Sequence, residues 1–290
     1  MLLLQLLING LQVGAIYALT AVGFSLVFGS TKIFHVAHGA AFTIAGYIFY
    51  MLTVKAGAHW LVGLAGSTVA VLAFGVLIDR LVYAPIERHE GSFFTVFVAS
   101  LGVATIVQNL IGTMFGRGFV SVSTPLSKGV EVVQGVYVSP LVGISVVCGI
   151  GCFLALHLFL TRTHVGMALR ALGENRDLVR AYGLNPRNLS TLALALGSLL
   201  VVPGAVIAAA SSGLNPAIGA HVMLISIAAT IVGGVGSLVG AACGGLLLGM
   251  AENLAHWGLA SQWSEAITFV VLLLFIIFRP AGFFGSAIKT

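Results

Sequence analysis

Apolar segments of about 20 residues follow one another along almost the whole chain. Only α-helices and closed barrels span a bilayer, because every backbone polar group in hydrocarbon must be hydrogen-bonded within the protein. The composition agrees, since 7% of the residues are charged, against roughly a quarter in an average soluble domain. The sequence therefore predicts one all-α, polytopic membrane domain over residues 1–290.

Hydropathy separates nine apolar segments. The seventh and eighth could form one bent element, because the turn at residues 233–237 is weak, so we expect about eight or nine transmembrane helices with broken or re-entrant segments. Dense glycines between residues 233 and 249 predict close helix packing. Similar small-residue segments at 10–46 and 219–249 suggest repeated halves. The predicted spans are Leu3–Gly29, Gly39–Val54, Trp60–Ile78, Ser92–Phe115, Tyr137–Leu160, Leu189–Ala210, His221–Leu238, Gly240–Trp257 and Ser264–Phe278.

Lysine and arginine are distributed unequally between the loops. With residues 161–189 inside, alternation of nine spans leaves Lys55, Arg117 and Lys128 outside and the other ten basic residues inside. The positive-inside rule then predicts a cytoplasmic C-terminus and an outside N-terminus, whereas eight spans would place the N-terminus inside. The ten are Lys32, Arg80, Arg88, Arg162, Arg170, Arg176, Arg180, Arg187, Arg279 and Lys289.

Several function classes find no support in the sequence. The basic residues form no stripe with interleaved aromatics, which argues against a nucleic-acid partner. Cys148, Cys152 and Cys243 lie in apolar segments without zinc or disulfide spacing. Because Gly-x-Ser-x-Gly and paired-aspartate motifs are also absent, we predict no catalytic site, cofactor or metal centre. A self-sufficient secondary transporter or channel stays a weaker alternative, since no convincing carboxylate lies deep in a predicted span.

Residues 161–189 form the only long hydrophilic stretch predicted inside. Glu174 to Tyr182 is predicted to be a short helix, with Asn175 as N-cap and Gly183 as terminator. A helix this short is marginal alone, which indicates that it rests against something. It could couple the membrane domain to a cytosolic motor subunit, or lie on anionic lipid. No P-loop motif is present, so any ATP must be bound by another chain.

Four stretches of the chain resemble the permeases of high-affinity branched-chain amino acid ABC transporters, and among these the shorter of two permease types. The likeness extends over nearly the whole sequence. The matching stretches are Gly14–Gly39 with Ala45-Gly46-Tyr47, Arg170-Ala171 through Ala181-Tyr182-Gly183-Leu184-Asn185, Ile231–Gly245, and the ending Phe278–Gly285.

This resemblance implies an importer permease that works with a second homologous permease, two ATP-binding cassette subunits and a solute-binding protein. Where the family has asparagine this chain has His35, and Ala40 replaces a frequent carboxylate, so urea, short amides or another small polar solute are alternative substrates. The coupling residues implied are Arg170, Glu174, Asp177, Leu178, Arg180, Ala181, Tyr182 and Gly183.

Polar side chains within the spans are candidates for the translocation path, because such groups are costly in lipid. His35 and His38 interrupt the first apolar run, where they form either a path or gate or a water-exposed cytosolic hairpin. Glu252 and His256, one helical turn apart, suggest a solute contact at the outer mouth or, more simply, an ion pair at a helix end. The candidates are Gln12, Tyr17, His35, His38, Glu252 and Asn253. The outside loop at 116–135 is predicted to be a hairpin, a partner surface or an ordinary connection.

Overall fold

The computed structural model describes residues 1–89, 91–133, 135–258, 263–279 and 281–284. It is predominantly helical, and each predicted apolar segment corresponds to a helix, so the prediction of a polytopic all-α membrane protein is confirmed. Pro280, Gly285 and Lys289 lie outside the described residues. The helices are α1 (Leu2–Thr31), α2 (His38–Tyr50), α3 (Trp60–Ile78), α4 (Ala84–Arg88), α5 (Phe93–Phe115), α6 (Pro140–Arg162), α7 (His164–Glu174), α8 (Arg176–Ala181), α9 (Pro186–Ser211), α10 (Ile218–Gly233), α11 (Leu238–Ala255) and α12 (Ser264–Phe278).

Six continuous helical segments in the described ranges are long and apolar enough to cross a membrane. Four are α1, α5, α6 and α9, and α11 is the shortest. The sixth, Trp60–Arg88, joins α3 to α4 through a π-helical turn at Asp79–Tyr83. The prediction ended this span at Ile78 because charges follow, but the helix continues since Asp79 and Tyr83 are buried. α10 and α11 are separate helices, which resolves the ambiguity at residues 233–237.

α1 is the central helix and packs against α6, α7, α9, α10 and α11. Its contact with α11 depends on glycine, as the sequence predicted. A Cβ at Gly245 would lie 2.5 Å from the Cα of Ala18, and one at Gly14 would lie 2.9 Å from the carbonyl oxygen of Leu246. Small residues allow this approach where no hydrophobic force draws helices together.

Two helices begin inside the bundle. α1 ends at Thr31, where Lys32 adopts a left-handed conformation (φ 59°). The chain then runs back along α1, because His38, the first residue of α2, contacts the carbonyl oxygen of Thr20 through Nε2 at 3.1 Å. Thr20 lies about 16 Å from the end of α1 at 1.5 Å per residue. His221, near the start of α10, similarly reaches Tyr17 on α1.

The two internal helix starts resemble one another and are in contact. Each has the pattern Ala-x-Gly-Ala, at residues 37–40 and 217–220, and each first turn closes with the same backbone bond, His38 N to His35 O at 3.2 Å and Ile218 N to Asn215 O at 3.1 Å. A Cβ on Gly39 or Gly219 would clash with the carbonyl oxygen of the other. The two helix starts thus match in structure, as residues 10–46 and 219–249 are similar in their content of small residues.

A β-hairpin follows α5. Strands β1 (Val130–Val133) and β2 (Val136–Val138) pair antiparallel. Of the three alternatives for residues 116–135, a hairpin agrees with this pairing, although β2 lies just beyond residue 135. Tyr137, predicted to begin a span, lies in β2, and α6 begins at Pro140 because proline suits the first turn of a helix. We call the end of the bundle with this hairpin the hairpin end, and the opposite end, with residues 161–189, the loop end.

Candidate functional site: translocation path and coupling segment

The first break, before α2, holds two buried histidines. His35 is 0% exposed and His38 is 1% exposed, with ring centroids 5.9 Å apart. His35 Nδ1 lies 2.6 Å from the hydroxyl of Tyr83, and Ser100 on α5 accepts the backbone N–H of Ala37 at 2.8 Å. The alternative of a water-exposed hairpin is therefore wrong, because neighbouring helices cover the broken backbone, as a bilayer requires.

The second break brings three polar residues together. The Tyr17 hydroxyl lies 3.2 Å from His221 Nε2, and the same nitrogen lies 3.7 Å from Glu252 Oε1. The predicted pairing of Glu252 with His256 is wrong, because α11 ends at Ala255 and His256 caps it in an exposed position. His221 was predicted only as the first residue of a span, because its partners Tyr17 and Glu252 are distant along the chain.

The remaining path candidates lie beside this group. Gln12 on α1 is 8% exposed. Asn253 on α11 donates its side-chain amide to the carbonyl of Gly249 at 3.0 Å, one turn earlier, next to the close approach of Gly10. Glu252 Oε2 is buried without a hydrogen-bond partner. The structure thus brings Tyr17 and Glu252 together at the second break, and His35 and His38 together at the first.

Two helices, not one, form the segment at the loop end that the sequence predicted to contact a motor subunit. Glu174 ends α7 and does not begin the predicted helix, because the chain becomes extended at Asn175. Asn175 then caps α8 as predicted, with its side chain accepting the N–H of Leu178 at 2.9 Å. Gly183 terminates α8 at φ 78°, also as predicted. The sequence missed α7, which packs on α1, α6 and α9.

Ion pairs anchor α8 and the start of α9 to the helical segment Trp60–Arg88. Arg176 bonds both carboxylate oxygens of Glu87, at 3.3 and 3.1 Å. Arg187 lies 3.9 Å from the buried carboxylate of Asp79, which accepts the Thr191 hydroxyl at 2.5 Å. These contacts hold a short helix that would be unstable alone. The sequence missed Asp79 because it was taken to lie beyond the span.

Apolar side chains are exposed on α8 and in the turn that follows it. Val179 faces inward and is 3% exposed, whereas Leu178, Tyr182 and Leu184 are 52%, 78% and 45% exposed. Arg180 and Asp177 form an exposed i,i+3 pair at 3.8 Å. Beside them is a groove of about 890 Å³ lined by Glu87, Arg88, Gly91, Arg176, Arg180, Gly183, Leu184, Asn185, Pro186 and Arg187. A firmly held helix with exposed apolar side chains beside a basic groove is suited to contact another protein. Arg170 borders a second polar cavity, with Lys32 and Glu174.

Three comparisons bear on what this arrangement does. The family model described as the branched-chain amino acid transport system permease component matches residues 6–276. This chain belongs to that permease family. The resemblance seen in the sequence is therefore confirmed, and the protein is a transport permease. Among the described residues, no group of three or more histidine, cysteine, aspartate or glutamate side chains could hold a metal ion.

Individual relatives extend over most of the permease. The high-affinity branched-chain amino acid transport system permease protein BraD of Pseudomonas aeruginosa is 31% identical, with 97% of this chain and 95% of BraD covered. LivH of Escherichia coli K12, a permease protein of the corresponding system, is 28% identical over the same shares. The ribose import permease protein RbsC of Escherichia coli K12 is 26% identical, with 93% and 84% covered.

A solved structure shares the fold. PsaBC from Streptococcus pneumoniae, in complex with Fab, superposes with a TM-score of 0.52 at 16% identity, covering 93% of this chain and 90% of the matched chain. At this identity the likeness concerns the fold alone.

Proposed function

We propose that this permease is the membrane-spanning subunit of an ABC importer that moves branched-chain amino acids into the cytoplasm. The observation that carries the proposal is the match to BraD and LivH over 97% of the chain, since both are permeases of branched-chain amino acid systems. The permease lacks a P-loop, so two separate ATP-binding cassette subunits supply the energy. A second homologous permease completes the pore, and a solute-binding protein delivers the substrate at the hairpin end.

The loop end faces the cytoplasm in this proposal, with the permease in a bacterial-type cytoplasmic membrane, the C-terminus inside and the N-terminus outside. The charge distribution supports this orientation, because the loop end carries the arginines of α7, α8 and α9. The helix α8 is the coupling helix: Leu178 and Tyr182 insert into a groove of the ATP-binding subunit, and Arg170 and Arg180 lie beside it. When ATP closes the motor dimer, the ion pairs to Glu87 and Asp79 carry the movement into α3 and α9.

Reconstitution of the complete complex in proteoliposomes tests the transport function. We expect ATP-driven uptake of radiolabelled L-leucine that requires the binding protein and is reduced by isoleucine and valine. Urea, acetamide and ribose serve as competitors for the alternative substrates. Uptake that only urea or acetamide reduced would assign the permease to small amides, and uptake without the ATP-binding subunits would make it a secondary transporter.

The coupling assignment has its own test. In the double variant Leu178→Asp with Tyr182→Asp, we expect loss of association with the ATP-binding subunits and at least a tenfold loss of leucine uptake, because two exposed apolar contacts gain charge. Val132→Asp is a matched control for association with the ATP-binding subunits, since Val132 is 66% exposed at the opposite, hairpin end. Normal association of the double variant would show that α8 is not the coupling helix.

A further inference from the structure

The outer half of α5 carries a polar stripe on a surface that this chain leaves open. Thr105, Asn109 and Thr113 follow at intervals of four residues and are all exposed. Gln108 and Gly112 continue the same side, because residues three and four apart share one face of a helix. The neighbouring exposed positions Ile106, Leu110 and Met114 are apolar. α5 therefore has two different exposed sides, one polar and one apolar.

Among the described residues, the side chains of Thr105, Asn109 and Thr113 make no hydrogen bond to another helix. The Thr105 hydroxyl donates to Leu101 O, the Asn109 amide to Thr105 O and the Thr113 hydroxyl to Asn109 O, at 2.9, 2.9 and 2.8 Å. These donors are bonded within α5, and the side chains of Thr105, Asn109 and Thr113 remain exposed. Polar side chains in spans face protein or a water-filled cavity and not lipid. The apolar side of α5 is the one suited to lipid.

A polar cavity of about 290 Å³ lies at the hairpin end of this stripe. It is lined by Gln108, Asn109, Gly112, Arg117, Phe119, Asn215, Pro216 and Ala217. In the described part of the chain, the side chains of Gln108 and Arg117 have no hydrogen-bond or ion-pair partner, and Asn215 Oδ1 is buried without one. A cation and three amides that line one cavity thus retain unused hydrogen-bonding groups.

The backbone holds the two sides of this cavity together. The segment with Arg117 pairs with the turn before α10, where Val120 N bonds Leu214 O at 2.9 Å and Leu214 N bonds Val120 O at 2.7 Å. Asn215 directly follows Leu214, at the second helix break. The cavity therefore joins the open stripe of α5 to the broken helix α10.

We propose that the Thr105–Asn109–Thr113 stripe is this permease's wall of the solute path and that the cavity at its end binds the carboxylate of an α-amino acid. Arg117 pairs with the carboxylate, because a guanidinium can donate two parallel hydrogen bonds to it. The amide oxygens of Gln108, Asn109 and Asn215 accept hydrogen bonds from the ammonium group, or their NH2 groups donate to the carboxylate. The volume lies near the lower limit of about 300 Å³ for small-molecule sites, which fits a small solute. This assignment rests on the proposed import function and adds the binding residues.

Cysteine labelling in the assembled complex tests the wall. In a background without Cys148, Cys152 and Cys243, the variants Thr105→Cys and Asn109→Cys are exposed to a membrane-impermeant cationic thiosulfonate, with Ile106→Cys and Leu110→Cys as controls one position away. We expect labelling at least tenfold faster at 105 and 109 than at 106 and 110. The cysteine thiolate attacks the thiosulfonate sulfur and displaces sulfinate, and thiolates form in water but not in lipid. Equal rates at the four positions would overturn the path assignment, whatever the transported solute.

Uptake measurements test the carboxylate site. We expect Arg117→Gln and Asn109→Leu to lower L-leucine uptake at least tenfold without loss of the assembled complex, and Arg117→Lys to restore most of it. Leu110→Ala is the matched control and transports normally. If the unmodified complex takes up leucine and Arg117→Gln does so equally well, the carboxylate site is refuted while the importer stands. If the unmodified complex takes up no branched-chain amino acid, the proposed function itself fails.

Discussion

Helices α1 and α5 have the same hydropathy over their most apolar windows but opposite surroundings. In α1, 78% of that window is buried, and in α5 only 17%. The polar groups of α1 meet partners inside the bundle, as Tyr17 does at His221, whereas Asn109 on α5 is exposed and bonds its own helix. Polar side chains therefore contact other helices on α1 and lie on an open surface on α5. The difference shows that hydropathy alone does not distinguish an enclosed helix from an open one.

The largest effect on stability is expected from adding a methyl group where α11 packs against α1, compared with the same change on the open surface of α5. Gly245→Ala places a Cβ 2.5 Å from the Cα of Ala18, so α1 and α11 must separate, at a cost of about 3 kcal/mol or more for overpacking. Gly102→Ala on α5 meets nothing within 4 Å and raises helix propensity. The fraction that stays monodisperse after heating compares the two variants. A similar loss in both would contradict the contrast between α1 and α5.

At the loop end, a buried ion pair and an exposed ion pair offer the same contrast, with a smaller expected effect on stability. Arg187→Ala leaves the buried Asp79 without its cation and lowers stability by about 2 kcal/mol, less than for a fully buried pair because the Arg187 side chain is 28% exposed. Arg180→Ala removes an exposed pair, and such pairs contribute little. The apparent Tm of the purified complex measures both, and an equal decrease in the two variants would show that Asp79 is not an anchor.

Removing the hydroxyl of Tyr17 is expected to have a modest effect. Tyr17→Phe keeps the ring of a residue that is 5% exposed and removes its contact with His221, at a cost of about 1 kcal/mol. A decrease in apparent Tm is therefore expected. Tyr137→Phe at the hairpin end is the control, because Tyr137 is 54% exposed. An unchanged Tm for Tyr17→Phe would mean that the contact adds nothing to stability.

The smallest effect on stability is expected on the stripe of α5. Thr105→Val replaces an exposed hydroxyl that bonds only its own helix, so the apparent Tm stays the same or rises. Leucine uptake falls if the stripe lines the path. A decrease in Tm as large as that of Tyr17→Phe would show that α5 packs against another element at Thr105, and would remove the contrast.

Local sequence signals predicted local structure well. Asn175 and Gly183 mark the ends of α8 because capping depends on residues within one turn. The glycines of α11 indicated close packing for a similar reason, since the absence of a side chain at that spacing has few other uses in an apolar helix. The start of the coupling helix was misplaced by the inclusion of Glu174, because the break between α7 and α8 is a single extended residue.

Contacts between distant residues could not be read in the same way. Glu252 was paired with His256 because helical spacing places them one turn apart, but the partner is His221 on α10. Asp79 was taken as a loop residue because charge usually ends a span, but Thr191 and Arg187 satisfy its carboxylate. In both cases the decisive partner lies more than 30 residues away.

The sequence by itself determined that this protein is a polytopic all-α membrane protein, which of its segments form apolar helices, and the family to which it belongs. Composition and motif are properties of the chain, so they survive any arrangement of the helices. The tertiary structure decided that α1 is enclosed and α5 is open, and that the histidines of the first break are buried. It also decided that ion pairs to the helical segment Trp60–Arg88 hold α8 in place. The physical reason is that burial depends on which helices are neighbours. In lipid, apolar surface alone does not select a partner, so the hydropathy of a helix does not predict its neighbours.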